Sequence, residues 1–395
     1  MSARAEMSPR RRRRRASPPP ASLPDDDDML REILLRLPPR PSSLPRASLV
    51  SKRWRSLVAD PQFQRRFRNH HGKPPLLGFF VEDRRSCPFF PMLGRPDRIP
   101  RARFSMPPNK DDRIPGARFS MSPNGDNRIV DCRHGLLLFL GRGPPHHLLV
   151  WDPVAREQRH LFLPPELDQM SFFNAAVLRP TRGHFQVALI AFAGMTRFSA
   201  CLYSSETGIW GNINSLELES HILPLEGAST LIGNSLCWLL RVLPHYAILE
   251  FDLDTQSLAV AELPALEGDQ ELRIIPAEDG RLGFIHVSQF HAQLWKRKPD
   301  SDGLAVWVLD RAIEFEELRS TYKGDSITLV GFAEESNAVL ALTVSGVFMV
   351  YLQSVEFKKI SNVRSNFTYY PFACCYAAGT GILDGHDGDE VLNNM

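Results

Sequence analysis

Residues 23–57 read LPDDDDMLREILLRLPPRPSSLPRASLVSKRWRSL, and the folding of this stretch decides what kind of head the chain carries. Leu30, Ile33, Leu34 and Leu37 recur at i, i+3, i+4 and i+7, which places them on one stripe of an α-helix. Asp27 or Asp28 can cap that helix, and Pro38-Pro39 ends it by withholding amide protons. A second helical segment starts after Ser42, with Ser43 as cap and Pro45 in its first turn. Ala47, Val50, Trp54, Leu57 and Val58 keep helical spacing along it, with a break expected near Ser51. In DPQFQRRF, Asp60 caps, Pro61 suits the first helical position, and Phe63 and Phe67 stand at i, i+4. Three or four short helices therefore occupy this region.

So small a unit buries too little surface to stand comfortably alone, so either the next domain or another protein covers it. Working outward, the 395-residue chain has 43% hydrophobic and 23% charged residues, enough for a sizeable core and two domains. No apolar run approaches the length of a membrane helix, and ASPPPASLP follows the basic start where a secretory signal needs an apolar core. The expected location is the cytoplasm, the nucleus or both. Cys87, Cys132, Cys201, Cys237, Cys374 and Cys375 have no paired spacing, and His70-His71 and His146-His147 lie beside no cysteine pair. Reduced buried thiols are expected, with no metal and no cofactor.

The net charge of +2 conceals an asymmetry: residues 1–72 carry +10 and the remainder −8. The run Arg10–Arg15 supplies most of that excess and reads as a solvated tail or an import signal. Nucleic-acid binding is not expected, because no aromatic platform interleaves with the arginines. Residues 1–21 and 381–395 are expected to be disordered tails.

The pattern of Leu23-Pro24, Glu32-Ile33-Leu34, Arg36-Leu37-Pro38, Leu44, Arg46-Ala47, Val50, Lys52 and Trp54 resembles the F-box, over about residues 22–68. Two departures occur: four aspartates lengthen the acidic turn, and Ser51 stands where many members have cysteine. Neither removes an apolar anchor. The resemblance implies docking onto the Skp-type adaptor of a cullin-RING ubiquitin ligase through Leu23, Pro24, Ile33, Leu34, Leu37, Pro38, Val50 and Trp54. Read from the residues alone, Ile33, Leu34, Val50 and Trp54 could equally fill the head's own core, whereas the Leu-Pro pairs at helix margins favour an outer face.

Residues 69–127 read as an irregular linker rich in Pro, Arg and Gly. They contain a tandem duplication, DRIPRARFSMPPNK at 97–110 and DRIPGARFSMSPNG at 112–125. From 128 to about 380 the chain becomes short β-branched and aromatic runs between Gly, Asn, Asp and Pro turns. Trp151, Tyr203, Phe251, Leu309 and Tyr351 mark recurring strand-to-turn boundaries at spacings averaging about 50 residues, a kelch-like period for four-stranded blades. The expected fold is α+β and multidomain: an all-α head, then an all-β propeller of five or six blades, with a pair of β-sandwiches as the alternative. YYPFACCYA, at 369–377, is expected to close the ring against amino-terminal material. VDCRHGLLL, LVWDP and FFNAAVLRP resemble the F-box associated β-propellers of plant F-box proteins, especially the large grass set.

The obvious catalytic templates are absent: there is no nucleophile elbow, phosphate loop, zinc-helix motif or dinucleotide fingerprint. Asp152, Asp252 and Asp310 follow strand ends, where an aspartate bonds its own backbone, so turn duty is expected of them. The reading is a noncatalytic receptor: head on the adaptor, propeller on an unknown target protein. The alternative is a non-ligase propeller scaffold whose head packs intramolecularly. A propeller hydrolase would need carboxylates clustered at the central channel.

Overall fold

The computed structural model describes residues 26–374 apart from 83–86, 106–126, 142–145, 168–169, 171, 182, 195, 220, 224–226, 243–244, 267–270, 316–326 and 363–366. Leu23, Pro24, both expected tails and the second copy of the duplication lie outside these residues.

The head has four helices, α1 (Asp27–Leu35), α2 (Ser43–Ser48), α3 (Lys52–Ala59) and α4 (Pro61–His71). Local chemistry sets their ends. The Asp26 side chain, one residue earlier than expected, accepts from the Asp28 amide. Ser51 accepts from the Trp54 amide, splitting the second segment where the sequence indicated. Asp60 accepts from the Gln62 amide, with Pro61 in the first helical position. Ser43 opens α2 without capping it, because neighbouring Ser42 turns its hydroxyl and its amide to Asp97 at 2.6 and 3.0 Å. Leu30, Leu34, Leu44, Leu57, Phe63 and Phe67 fill the head's interior.

The remainder forms six sheets around an axis. The closing sheet begins with β1 (Leu76–Glu82) and β2 (Phe89–Pro91). The first full blade is β3 (Asn127–Arg133), β4 (Leu136–Gly141), β5 (His147–Asp152) and β6 (Glu157–Phe162). The second is β7 (Phe172–Thr181), β8 (His184–Ala193) and β9 (Arg197–Ser204), with β10 (Ile209–Trp210) and β11 (Asn214–Glu217) both paired to β9. In the third, β12 (Ile222–Leu223) and β13 (Thr230–Ile232) both pair with β14 (Ser235–Val242), followed by β15 (His245–Asp252) and β16 (Leu258–Glu262). The fourth is β17 (Glu271–Pro276), β18 (Leu282–Ser288), β19 (His291–Pro299) and β20 (Ala305–Glu314). The fifth is β21 (Thr328–Ala333), β22 (Ala338–Thr343), β23 (Gly346–Tyr351) and β24 (Phe357–Ser361). Finally β25 (Thr368–Ala373) pairs antiparallel with β1, so the two ends of the propeller share one sheet.

Six blades settle the expected five or six, and the ring closes through the YYPF strand as anticipated. The linker expectation is corrected. Residues 76–91 are strands of the closing sheet, so the propeller begins well before 128. β1 and β2 pair with each other as a hairpin, but the strand on the other edge of β1 lies far along the chain, with Glu82 and Tyr370 separated by 288 positions. The first copy of the duplication runs through a 3₁₀ turn, Arg101–Phe104, whose Phe104 is buried under the same sheet.

Trp151, Tyr203, Phe251 and Tyr351 all sit at the ends of third strands, β5, β9, β15 and β23. Leu309 does not: it lies within β20, and the matching turn is at Asp300, whose carboxylate accepts from the amides of Asp302 and Leu304. Asp152 and Asp252 cap their own turns as expected. Asp310 instead pairs with Lys296 across β19 and β20.

Candidate functional site

Two surfaces stand out, one on the head and one at the propeller axis. On the head, Ile33 is 41% exposed and Val50 53%, although both are large and apolar. Met29, one turn before Ile33 on α1, and Leu49, beside Val50, are exposed as well. An Arg53–Asp27 ion pair of 2.7 Å draws the start of α3 to the start of α1. A second pair, Arg66–Glu32, fixes α4 to α1. Four of the nine exposed large hydrophobics among the described residues thus belong to this small head.

The other expected docking residues divide. Pro38 is exposed. Leu37 and Trp54 are half-buried against the head's core. Leu34 is corrected: it is fully buried, and it supports the seam from beneath instead of lying on it. Its neighbour Ile33 faces out because adjacent helical positions diverge by about 100° around the axis. Met29 and Leu49 were missed, and the signal for Met29 was its place one turn ahead of Ile33.

At the propeller axis, β3, β13, β17, β21 and β25 surround a cavity of about 60 Å³. Arg133 crosses it. The guanidinium donates to Asp131 at 2.9 Å, to the Ser229 carbonyl at 2.9 Å, and to both Glu334 oxygens at 2.9 and 2.7 Å. Glu334 also accepts the Leu231 amide, and Asp131 the Val177 amide. One arginine therefore ties the first, third and fifth blades, and Asp131 adds the second.

Burial dominates the titration here. It pushes the Asp131 carboxyl up to about 6 despite Arg133 alongside. For Arg133 burial disfavours the charge, but Asp131 and Glu334 outweigh it and raise the pKa. Burial, aided by Arg133, lowers His134 to about 4, so its neutral Nδ1 accepts the Arg179 amide. Glu335 is raised by burial and by Glu334 next to it. Sequence reasoning assigned none of these residues a role, although Asp131, Arg133 and His134 all lie in VDCRHGLLL.

The arrangement has little chemistry to offer. Among the described residues no group of three His, Cys, Asp or Glu side chains could hold a metal ion. Asp152, Asp252 and Asp310 are spread over three blades and engaged in a pair with Arg179, a turn and a pair with Lys296. The Cys132 and Cys87 thiols, packed under the closing sheet, are held well above their ordinary pKa by burial, which leaves them poor nucleophiles. No helix among the described residues is long and apolar enough to cross a membrane.

Comparison with known proteins agrees with this division of the chain. Residues 21–66 match the F-box domain model, and residues 128–371 match the model described as F-box protein AT5G49610-like, beta-propeller. F-box protein At5g03970 of Arabidopsis thaliana is 24% identical over 345 residues, covering 82% of this chain and 79% of its own. Among solved structures, the KlAtg21 complex with the coiled coil of AgAtg16 aligns at a TM-score of 0.41 and 12% identity, covering 73% of this chain and 85% of that one. The WD40 domain of SCAP from fission yeast aligns at 0.33 and 12%, over 60% of this chain and 54% of that one. Such TM-scores carry no inference. The family matches do, since one spans most of the chain and the other falls on the helical head: the chain is an F-box protein of the AT5G49610-like β-propeller family.

Proposed function

We propose that this protein is the substrate-recognition subunit of a cullin-RING ubiquitin ligase, acting in the cytoplasm or nucleus, with the head docked on a Skp-type adaptor and the propeller holding a target protein. The observation that carries this reading is the exposure of Ile33 and Val50 on a head whose interior is already filled by Leu30, Leu34, Phe63 and Phe67. An apolar seam left outside a complete core gains about 25 cal/mol for each Å² a partner removes from water, before association costs. The receptor performs no bond chemistry. It raises the target's effective concentration beside the ligase's charging enzyme. Capture of a purified Skp-type adaptor by the full chain tests it. Ile33→Asp with Val50→Asp should abolish capture while leaving the thermal transition intact, and undiminished capture by the double variant would refute the docking assignment.

A further inference from the structure

Each four-stranded blade turns twice on the same face of the propeller, between its first and second and its third and fourth strands. The axial cavity opens toward that face at His134, Gly135 and Glu334–Ser336. The face is acidic. Glu206, Asp254, Glu278, Asp302 and Glu356 all stand exposed in its turns, and none makes an ion pair among the described residues. Of the basic residues there, Arg179 pairs with Asp152 and Arg281 lies 3.6 Å from Asp279, while Arg156 stands exposed in the turn between β5 and β6.

Two groups at the cavity itself have unused bonding capacity among the described residues. Glu335, half-buried at the mouth, makes no hydrogen bond or ion pair among the described residues, unlike Glu334, which Arg133 holds. Deeper in, Arg273 lines the same cavity. Its Nη2 donates to the Leu329 carbonyl at 2.7 Å, but its Nε is shut off from solvent and meets no acceptor. A side chain at Gly227 would sit 3.1 Å from Arg273 Nη1, so the backbone closes over that edge of the guanidinium. A carboxylate that feels the charges of Lys73 and Arg133 but is bonded to neither, and a buried N–H without an acceptor, on one cavity, leave room for a ligand with a positive end and an oxygen, as a basic stretch of polypeptide has.

We propose that this face binds a lysine- or arginine-rich segment of the target, with one basic side chain entering the channel mouth to pair with Glu335 and an oxygen of the segment or an accompanying water accepting from Arg273. By about 15 Å³ of such space per water, the cavity holds about four waters or the end of one long side chain. The surrounding carboxylates steer the segment inward, and that part of the attraction weakens with salt. The proposal rests on the reading of the propeller as the target-holding domain.

The test is fluorescence anisotropy of the full chain with a fluorescein-labelled Ser-Gly peptide carrying a short lysine run, beside a glutamate counterpart. The lysine peptide should bind and lose affinity steeply with salt, and the glutamate peptide should not bind. Glu335→Gln should weaken binding about tenfold without moving the thermal transition, and Glu206→Gln, on an outer turn, by less than about twofold. Equal affinity for Glu335→Gln and the parent chain, or for both peptides, would overturn the proposal. So would lysine-peptide binding that appears only when Arg10–Arg15 are replaced by serine, since the occupant would then be the chain's own tail. Adaptor capture measured on the same samples separates the two readings: capture without peptide binding sinks this one, and peptide binding without capture sinks the ligase assignment.

Discussion

Arg133 and Glu334, 201 positions apart, face each other across the propeller axis with two hydrogen bonds of 2.9 and 2.7 Å, the arginine side chain only 4% exposed. Paired and fully bonded, such a charge is tolerated inside; unpaired, it is not. Glu334→Leu should therefore strand part of the guanidinium and lower stability by about 3 kcal/mol, and Arg133→Met, which strands Asp131, by a similar amount. Replacing Arg133, Asp131 and Glu334 together with apolar residues should recover much of that loss. Urea unfolding of the four chains checks it, and additive losses would show that the residues do not act as one network.

Two neighbours in the channel should give opposite responses to acid. His134 is lowered in the fold to about 4, so its neutral form contributes stability that is complete above its unfolded value near 6.5 and disappears as pH falls toward 4. Asp131 is raised to about 6, so the folded state takes up a proton first and stability at this site grows as pH falls from about 6 toward 4. His134→Asn, which also suits the left-handed backbone there (φ 54°), should make the chain more acid-tolerant between pH 6 and 4. Asp131→Asn should make it less so. Denaturant midpoints measured across that range would decide, and shifts of the same sign would contradict the assignment.

Much of what was legible in the sequence is structure written locally. The break at Ser51, the Asp60 cap, the proline after it and the buried Phe63–Phe67 pair could all be read from neighbours a few residues apart, whereas the caps expected at Asp27 or Asp28 and at Ser43 were each set at least one residue late. The blade period was legible because Trp151, Tyr203, Phe251 and Tyr351 end equivalent strands. It slipped at Leu309, where β19 runs on to Pro299 and moves its turn to Asp300. Strands β1 and β2 form a local hairpin inside a stretch rich in Pro, Arg and Gly, and were passed over as linker because their sheet is completed only by β25 from the other end of the chain. The channel site was hidden for the same reason: Arg133, Arg273 and Glu335 meet only after the ring closes.

The head separates burial from docking within one dipeptide. Leu34 is fully buried and Ile33 is 41% exposed. Leu34→Ala should lower stability by about 2 to 5 kcal/mol through the cavity it leaves, with adaptor capture falling only as the head unfolds. Ile33→Ala should leave stability within about 0.5 kcal/mol and reduce capture directly. Paired melting curves and adaptor titrations would tell them apart. Equal stability losses would mean that the seam is part of the core.

Closure of the ring rests on aromatic packing behind β25. Phe372 is fully buried, with its ring 5.3 Å from that of Phe80 and 5.2 Å from that of Phe104, centroid to centroid. The Tyr370 hydroxyl donates to the Ile129 carbonyl at 2.7 Å, bonding the closing sheet to the first blade. On the other side the sheet meets β21 so closely that a Cβ on Gly331 would lie 2.5 Å from the Tyr369 carbonyl oxygen. Phe372→Ala should cost about 3 to 5 kcal/mol and Tyr370→Phe about 1 to 2 kcal/mol, because the second removes one buried hydrogen bond and little volume. Gly331→Ala should destabilise by forcing that backbone apart, whereas alanine at exposed Lys358 should leave the thermal transition in place. A chain ending before Thr368 loses β25 altogether, which bares the edge of β1 to other molecules. Size-exclusion chromatography should then find association, and a monodisperse, cooperatively melting truncated chain would show that the ring does not depend on this strand.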